Sequence, residues 1–399
     1  MDKFTPVDRK LFTPFSVSML ILAAIGFATL GLRFIFGLGF VSAINQEYPW
    51  GIWNWSKVTE FALSAGSFMT VALVYIFHRK QFKSVIRPAL LSSALGYSFV
   101  GFTIFFDIGR YYNMWHLMIP YCWQRNSVLF EVGWCLMLYL TVLYLELIPV
   151  GAERFSGKVV LPGPLRIFNR ITDFLLTLSN KMIGKVTAIV LISGVVFSCL
   201  HQSSLGGLML IAGEKVHPIW FTPILPLLFL LSAFAVGLPM AIFISIVAGK
   251  GMGRPIELPV LTGLARYAQV FLGLFLAVYF GNIAWNNHWK FIAEGTVKGN
   301  MFALEILLFV VPFILLFFKK IRESRGGLLF ASILVILSIM VHRFNVLLIS
   351  YTPPFGGTYR PVATEYLVLI GIFSLYIFLY RAATIYLPIF PEKPGSVSR

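Results

Sequence analysis

Ten apolar runs, each long enough to cross a lipid bilayer, constrain the fold of this chain more than any other feature. The runs lie at about 15–40, 54–77, 87–107, 127–149, 184–201, 219–248, 262–283, 300–318, 327–350 and 364–385. Because a membrane-spanning helix needs about 20 mostly apolar residues, each run predicts one such helix. The composition, 58% hydrophobic and 12% charged, excludes an ordinary soluble enzyme. The sequence therefore predicts an all-α integral membrane protein, a bundle of about ten transmembrane helices.

The positive charges collect in alternate connections between these runs. The chain has 32 Lys and Arg against 16 Asp and Glu, a net charge of +16. Such an excess can mark a nucleic-acid partner, but short basic blocks between apolar runs are typical of loops that stay in the cytoplasm and face anionic lipid. We therefore expect a lipid membrane rather than nucleic acid as the partner of these charges, and both termini in the cytoplasm.

The chain is predicted to form a single integral membrane domain over residues 1–399. Its longest connection, 151–181, has apolar residues spaced among basic ones, which predicts a short amphipathic helix on the cytoplasmic membrane surface. This connection separates a first part of four helices, 1–150, from a second part of six, 182–399. No repeat of fixed period is visible in the sequence.

The outer connections carry most of the chemistry-bearing residues. We interpret seven of these side chains as binding candidates: Trp50, Arg110, His116, Gln202, His217, Arg343 and Tyr351. Ionisable residues within the spans are costly, about 2.5–3.5 kcal/mol each at the bilayer centre. Those expected in or near the outer third are Arg33, Lys57, Glu60, Asp107, Glu131, Glu305 and Arg343. A polar pocket with aromatic walls suits a lipid-soluble ring whose carbonyl oxygens accept hydrogen bonds and protons, as in a quinone.

Each of these charges also has a purely structural explanation. Lys57 and Glu60 have the i, i+3 spacing at which two charges on one helix neutralise each other. Asp107 and Arg110 have the same spacing at a helix end, where an interfacial ion pair is common. Arg33 could extend its guanidinium outward to water. The aromatic residues could form an ordinary interfacial belt.

Metal and haem sites have little support in the sequence. Cys122, Cys135 and Cys199 lack the spacing of an iron–sulfur or zinc site, so no metal site is predicted. A haem b anchor would need two histidines that face each other, and His201 and His342 are the candidates. A secondary transporter, the third alternative, usually shows internal repeats and helices broken at the midplane.

Several motifs, in the same order along the chain, resemble those of a known family. They are Tyr48–Trp53, Asp107–Asn113, Asn126–Glu131, His201–Gly206 and Lys215–Pro218. They resemble the polysulfide-reductase/NrfD-type family of quinone-interacting membrane subunits over nearly the whole chain. Within that family the likeness is greatest to the membrane subunits of periplasmic nickel-iron hydrogenase 2 complexes. One departure is Lys57 followed by Glu60, where relatives commonly have an acidic residue shortly after the Pro-Trp-Gly turn.

The resemblance implies a subunit that is not catalytic alone and has no haem or iron–sulfur cluster of its own. It would exchange electrons between menaquinone and a periplasmic, ferredoxin-like iron–sulfur protein, with the hydrogenase large and small subunits as further partners. It would lie in the bacterial cytoplasmic (inner) membrane, with its functional loops facing the periplasm. Related subunits in sulfur or nitrite oxidoreductase complexes remain an alternative.

The resemblance also implies individual roles for site residues. Asp107 and His201 are the catalytic candidates at the quinone end, with Glu131 nearby, and Arg110 and Gln202 are binding candidates there. If quinone chemistry is coupled to proton translocation, protons from the cytoplasm cross most of the bilayer. Glu146 is then a candidate for proton uptake and Glu131 for a relay, with Glu60 as a further member of the path.

Overall fold

The structure is a computed structural model that describes residues 4–155, 169–354 and 356–392. In these ranges ten helices are long and apolar enough to cross a membrane, which confirms the predicted all-α membrane bundle. We number them α1 to α10 in chain order. The side of the membrane on which the termini lie stays a prediction.

The helix bounds agree with most of the apolar runs. The spanning helices are α1 (Pro14–Phe36), α2 (Ile52–Ile76, in three pieces, Ile52–Leu63, Gly66–Val71 and the π-helix Ala72–Ile76), α3 (Lys83–Asp107), α4 (Val128–Phe155), α5 (Asn169–Leu210), α6 (Leu225–Met252), α7 (Leu258–Trp285), α8 (Val297–Leu315), α9 (Arg325–Phe344, continued by the π-helix Asn345–Ile349) and α10 (Ala363–Tyr386). Shorter helices or helical turns are Leu38–Val41, Lys80–Phe82, Tyr111–Met118, Pro120–Cys122, Gly213–Lys215, Trp289–Ala293 and Lys319–Arg322.

The ends of α1 show why the chain begins and ends a helix there. Thr13 caps the helix, because its hydroxyl accepts a hydrogen bond from the Ser16 backbone N–H at 3.3 Å, and Pro14 follows as the first helical residue. The helix ends at Gly37, whose φ of +86° lies in the region that favours glycine. The predicted run to about residue 40 is therefore divided into α1 and the short helix Leu38–Val41.

The helices pack in two groups and a pair. Helices α2 to α5 form one group, α6 to α9 form the second, and α2, α3 and α5 pack against α6 where the groups meet. Helix α1 packs along α10, and this pair stands against α3. The pair approaches closely at Gly26 and Gly371, where a Cβ atom added to Gly26 would lie 2.6 Å from the Gly371 Cα. Small residues commonly allow such close helix contacts in membranes.

Helix α2 is interrupted near the middle of its span, at Ser64 and Ala65. The Ser93 hydroxyl of α3 donates to the Ser64 carbonyl oxygen at 2.5 Å, so this backbone group is satisfied at the interruption. Ser64 and Ala65 keep right-handed helical dihedral angles, so the interruption is a local turn within the span. The apolar run at 54–77 gave no indication of this interruption.

The predicted connection 151–181 lies only partly in the described residues, because 156–168 fall outside them. From Asn169 the chain belongs to α5, which continues to Leu210. The fifth span therefore ends about nine residues later than the apolar run predicts. His201 and Ser204 are polar residues within or just after the apolar run, and both belong to α5. Their side chains are buried because they face other helices rather than solvent.

The two described terminal segments meet at the same end of the bundle. Strand β1 (Phe4–Thr5) pairs antiparallel with β2 (Phe390–Pro391). Arg87 supports this end, because its guanidinium donates to the Pro388 carbonyl oxygen at 2.8 Å and to Glu153 at 2.6 Å. The first turn of α3 and the last turn of α4, which carry Arg87 and Glu153, therefore lie beside the paired termini.

Candidate functional site

A cavity lies where the α1 and α10 pair meets α2 and α3. It is a narrow cleft that is partly open to its surroundings rather than an enclosed chamber. The lining residues are Leu30, Trp53, Ser56, Lys57, Glu60, Thr103, Phe106, Val368, Leu369, Ile372 and Phe373. Phe373 is 47% exposed, so the cavity opens at the lipid-facing surface of the bundle. An apolar, aromatic wall with a few convergent polar groups is typical of a small-molecule site.

A buried ion pair stands beside this cavity. The Lys57 ammonium of α2 donates to the Asp107 carboxylate at the end of α3. Both side chains are nearly buried, with 9% and 8% of their surface exposed. The Asn54 amide donates to the same Asp107 oxygen at 3.2 Å. Lys57 thus pairs with Asp107 rather than with Glu60 on its own helix, and the expected i, i+3 neutralisation is wrong.

Arg33 holds the chain just after Asp107. Its guanidinium donates to the Ile108 carbonyl oxygen and lies 4.7 Å from the centre of the Tyr111 ring. The side chain is 4% exposed, so it does not extend to water, as the structural explanation for this residue would require. Cations from α1 and α2 therefore fix the C-terminal end of α3 from two sides.

His201 and Gln202 lie in a separate buried group between α2, α3 and α5. The His201 ring is 4.3 Å from the Phe61 ring and 5.6 Å from the Tyr97 ring, measured between centres. Neither His201 nitrogen has a hydrogen-bond partner among the described residues. The Gln202 amide donates to the Phe61 carbonyl oxygen at 2.8 Å. Phe61 follows Glu60, which lines the cavity from α2. His201 packs against Phe61 and therefore lies behind this wall of the cavity.

The two acidic residues predicted on α4 lie apart from the cavity. Glu131, in the first turn of α4, is exposed and accepts a hydrogen bond from the Ser204 hydroxyl of α5. Glu146 is half-buried against α5, where a Cβ atom added to Gly194 would lie 3.0 Å from its Oε1 atom. The two carboxylates are separated by about 22 Å along the helix, at about 1.5 Å per residue. Their role in a proton path stays a prediction.

An aromatic cluster covers the end of the bundle opposite the paired termini, near the cavity. The Tyr351 ring lies 5.6 Å from the Trp50 ring, and its hydroxyl donates to the Glu47 carbonyl oxygen at 2.9 Å. The His217 backbone N–H donates to the Ser350 carbonyl oxygen at 2.9 Å. The structure thus brings Trp50, Tyr351 and His217 into one region at this end of the bundle. Partial burial lowers the pKa of His217, and the positive charge of Lys298 lowers it further.

Arg110 and His116 belong to the connection between α3 and α4. Arg110 is exposed and precedes the helical turn Tyr111–Met118. The His116 ring contacts the Trp115 ring at 4.3 Å. Large apolar side chains on this connection are also exposed, including Met118 at 65% and Tyr121 at 97%. Neither Arg110 nor His116 lines the cavity.

Arg343 lies in the second helix group, beside a buried polar cluster that the sequence did not predict. Its guanidinium donates to the Ser232 hydroxyl at 2.9 Å and stacks on the Phe229 ring. The fully buried Glu305 carboxylate accepts four hydrogen bonds. The donors are the Tyr279 hydroxyl, Trp220 Nε1 at 2.9 Å, Asn345 Nδ2 at 2.7 Å and His342 Nδ1 at 2.7 Å. Hydropathy indicated the depth of Glu305 but not these partners, which come from other segments of the chain.

The histidines within the spans do not fit haem b. His201 contacts Phe61 and Tyr97 in the first helix group, whereas His342 Nδ1 bonds Glu305 in the second. A haem iron held by both would require the two rings to face each other across one plane, and they lie in separate side-chain groups. Within the described ranges there is also no group of three or more His, Cys, Asp or Glu that could hold a metal ion.

The structure thus separates the predicted site residues into several places. Asp107 and Glu60 lie at the cavity, and Trp50, His217 and Tyr351 lie at the aromatic cluster. His201 and Gln202 lie on the far side of the cavity wall. Lys57 lines the cavity but was not among the binding or catalytic residues predicted from the sequence. Its signal was a basic residue inside a span at the depth of Asp107.

The fold and this cavity together define a multi-pass membrane protein with a charged, lipid-accessible site near one end. The chain belongs to the polysulphide reductase NrfD family, whose model matches residues 40–354. It is 32% identical to the probable Ni/Fe-hydrogenase 2 b-type cytochrome subunit of Escherichia coli K12, over 90% of this chain and 88% of that protein.

Two further relatives are more distant. The chain is 24% identical to the integral membrane subunit of a menaquinone reductase from Nitratidesulfovibrio vulgaris, over 90% of this chain and 87% of that protein. It is 23% identical to one of the subunits of the selenate reductase from Mesobacillus selenatarsenatis, over 93% of each chain. The protein is therefore an NrfD-family membrane subunit of respiratory oxidoreductase complexes.

Proposed function

We propose that this chain is the quinone-reactive subunit of a respiratory nickel-iron hydrogenase complex in the bacterial inner membrane. It passes electrons between a ferredoxin-like iron–sulfur partner on the periplasmic face and menaquinone in the membrane. The observation that carries the proposal is the cavity beside the buried Lys57–Asp107 pair. A buried ion pair is costly to desolvate, so its presence at a lipid-accessible cavity supports a functional role.

The cavity has the chemistry that quinone reduction needs. Trp53 and Phe106 offer flat apolar surface for the ring. The Lys57 ammonium supplies a charged donor for a carbonyl oxygen, and such bonds are stronger than neutral ones. Glu60 supplies a carboxyl group that can hold and release a proton. Reduction of one quinone consumes two electrons from the partner's iron–sulfur cluster and two protons, and forms two O–H bonds.

The remaining candidates support this site from a distance. His201 and Gln202 contact the segment of α2 that follows Glu60, so they position this wall of the cavity. Trp50, His217 and Tyr351 cover the outer end. The exposed connection that carries Arg110 and His116 is available to the soluble partner, which would deliver electrons close to the cavity.

The experiment blocks the cavity and measures quinone reduction. Thr103 lines the cavity and bonds the Val100 carbonyl oxygen at 3.0 Å, whereas Thr141 makes the same kind of bond to Met137 at 2.8 Å on an exposed face of α4. In the purified complex, Thr103→Phe is expected to raise the KM for a menaquinone analogue about tenfold or more, the loss of about 1.4 kcal/mol of binding. Thr141→Phe is the matched control and should leave KM unchanged. An assembled Thr103→Phe complex with an unchanged KM would contradict the site.

A second candidate is the same quinone-reactive role in a different respiratory complex, which the selenate reductase and menaquinone reductase relatives favour. The choice of electron donor distinguishes the two. Hydrogen-dependent reduction of the quinone analogue by the co-purified complex supports the hydrogenase. An assembled complex with iron–sulfur signals but no hydrogen-dependent activity supports the second candidate.

A further inference from the structure

A pair of hydroxyl groups lies directly below the cavity, between α3 and α10. Ile372 and Phe373 line the cavity, and Tyr376 lies one turn further along α10. The Tyr376 hydroxyl and the Ser92 hydroxyl of α3 are 2.5 Å apart. Tyr376 is an intermediate-exposure residue and Ser92 is 4% exposed. The pair therefore continues the polar side of the cavity toward the interior of the bundle.

Above this pair, the Glu60 carboxylate reaches the same region of α3. A Cβ atom added to Gly96 would lie 3.4 Å from Glu60 Oε1, so the carboxylate lies beside this turn of α3. Gly96 is one turn from Ser92 on α3. Glu60 thus lies about one helical turn, about 5.4 Å, above the hydroxyl pair.

Below the pair, the polar line continues to the end of the bundle that carries the basic connections. The Tyr380 ring stacks with the Tyr376 ring at 6.4 Å, and its hydroxyl donates to the Pro88 carbonyl oxygen at 3.3 Å. Pro88 follows Arg87, which pairs at 2.6 Å with Glu153, a side chain that is 46% exposed. We name the set Glu60, Tyr376, Ser92 and Tyr380 the α3–α10 seam.

We propose that the α3–α10 seam carries protons between the basic end of the bundle and the quinone cavity. The inference rests on the proposed function, and it differs from a route through Glu146 and Glu131. Tyr376 and Ser92 pass a proton through their shared hydrogen bond, water bridges the gaps to Tyr380 and to Glu60, and Glu60 exchanges the proton with the quinone oxygen. For each quinone reduced, two protons leave the basic side and two electrons arrive from the iron–sulfur partner. Quinol oxidation runs both flows in reverse.

The test removes one hydroxyl at a time from the complete complex in liposomes. Tyr376→Phe and Ser92→Ala keep the packing but interrupt the seam. Tyr139→Phe is the matched control, because Tyr139 is a buried tyrosine bonded at 3.1 Å to Ser67 in the first helix group. We expect both seam variants to lower kcat about tenfold or more, at unchanged KM, and to raise the ratio of rates in H₂O and D₂O. Tyr139→Phe should match the wild type in all three quantities.

A pH-sensitive dye trapped in the liposome compartment that faces the basic end reports the direction of proton flow. In the wild type this compartment should become more alkaline as quinone is reduced, and more slowly in the seam variants. Assembled seam variants with wild-type kcat and isotope ratio would overturn the proposal. If Tyr376→Phe does not assemble, Ser92→Ala decides by the same criteria. Failure of the proposed function is distinct, because Thr103→Phe would then leave the KM for quinone unchanged.

Discussion

The Lys57–Asp107 pair should contribute both to the stability of the fold and to quinone reduction. A double-mutant cycle can measure the contribution to stability. Both side chains are nearly buried, so removal of one partner leaves a buried charge without its counter-charge. This typically costs about 3–5 kcal/mol. We expect Lys57→Met near the upper end, because Asp107 then keeps only the Asn54 amide at 3.2 Å. Asp107→Leu should lie near the lower end, since Glu60 is three residues from Lys57 on the same helix.

The double variant Lys57→Met/Asp107→Leu should lose much less free energy of unfolding than the two single variants lose together. Its remaining cost is the unpaired Asn54 amide, about 1–3 kcal/mol. The coupling energy between positions 57 and 107 is therefore expected to be about 5–7 kcal/mol. Yet this variant should have lost quinone reduction, because the charged donor at the cavity is gone. Retention of fold with loss of turnover would separate the two roles of the pair.

The assay is unfolding of the purified chain in mixed detergent micelles at increasing SDS fraction, followed by tryptophan fluorescence. The control is Glu153→Gln, which breaks the more exposed Arg87–Glu153 pair. Exposed pairs contribute about 0–1 kcal/mol, so this variant should lie close to the wild type. The reasoning would be refuted if the double variant lost the sum of the two single losses within about 0.5 kcal/mol.

Two further predictions concern the packing of α1 against α10 and the aromatic cluster that contains His217. Gly26→Ala should lower the free energy of unfolding by about 1–3 kcal/mol, because its Cβ would meet the Gly371 backbone, whereas Gly31→Ala on the same helix faces open space and should not. Thermal unfolding of the two variants checks this, and equal midpoints would contradict it. Burial and the Lys298 charge lower the pKa of His217, so Lys298→Gln should raise it, as measured by NMR titration of the ring. Since the folded pKa is the lower one, His217 favours the folded state above its unfolded pKa of about 6.5, and this stability is lost as the pH falls. An unshifted titration in the variant would show that Lys298 does not act on the ring.

Much of the architecture follows from the sequence alone. Runs of about 20 apolar residues predict spanning helices because each helix satisfies its own backbone hydrogen bonds, whatever its neighbours are. The ten spans were therefore predictable, and so were the ionisable residues within them, such as Asp107 and Glu305. The motifs from Tyr48 to Pro218 were sufficient to indicate the family, which the family model confirms over residues 40–354.

Only the tertiary structure decided which of these residues meet. Lys57 pairs with Asp107 on another helix, the Glu305 carboxylate collects donors from other segments, and α1 packs on α10 from the far end of the chain. The sequence could not predict these contacts, because in a bilayer the lipid-facing and core-facing sides of a helix are both apolar. Hydrophobic periodicity therefore does not reveal which face meets which neighbour. Close packing at glycines and hydrogen bonds between helices make that choice, and they exist only once the helices have assembled.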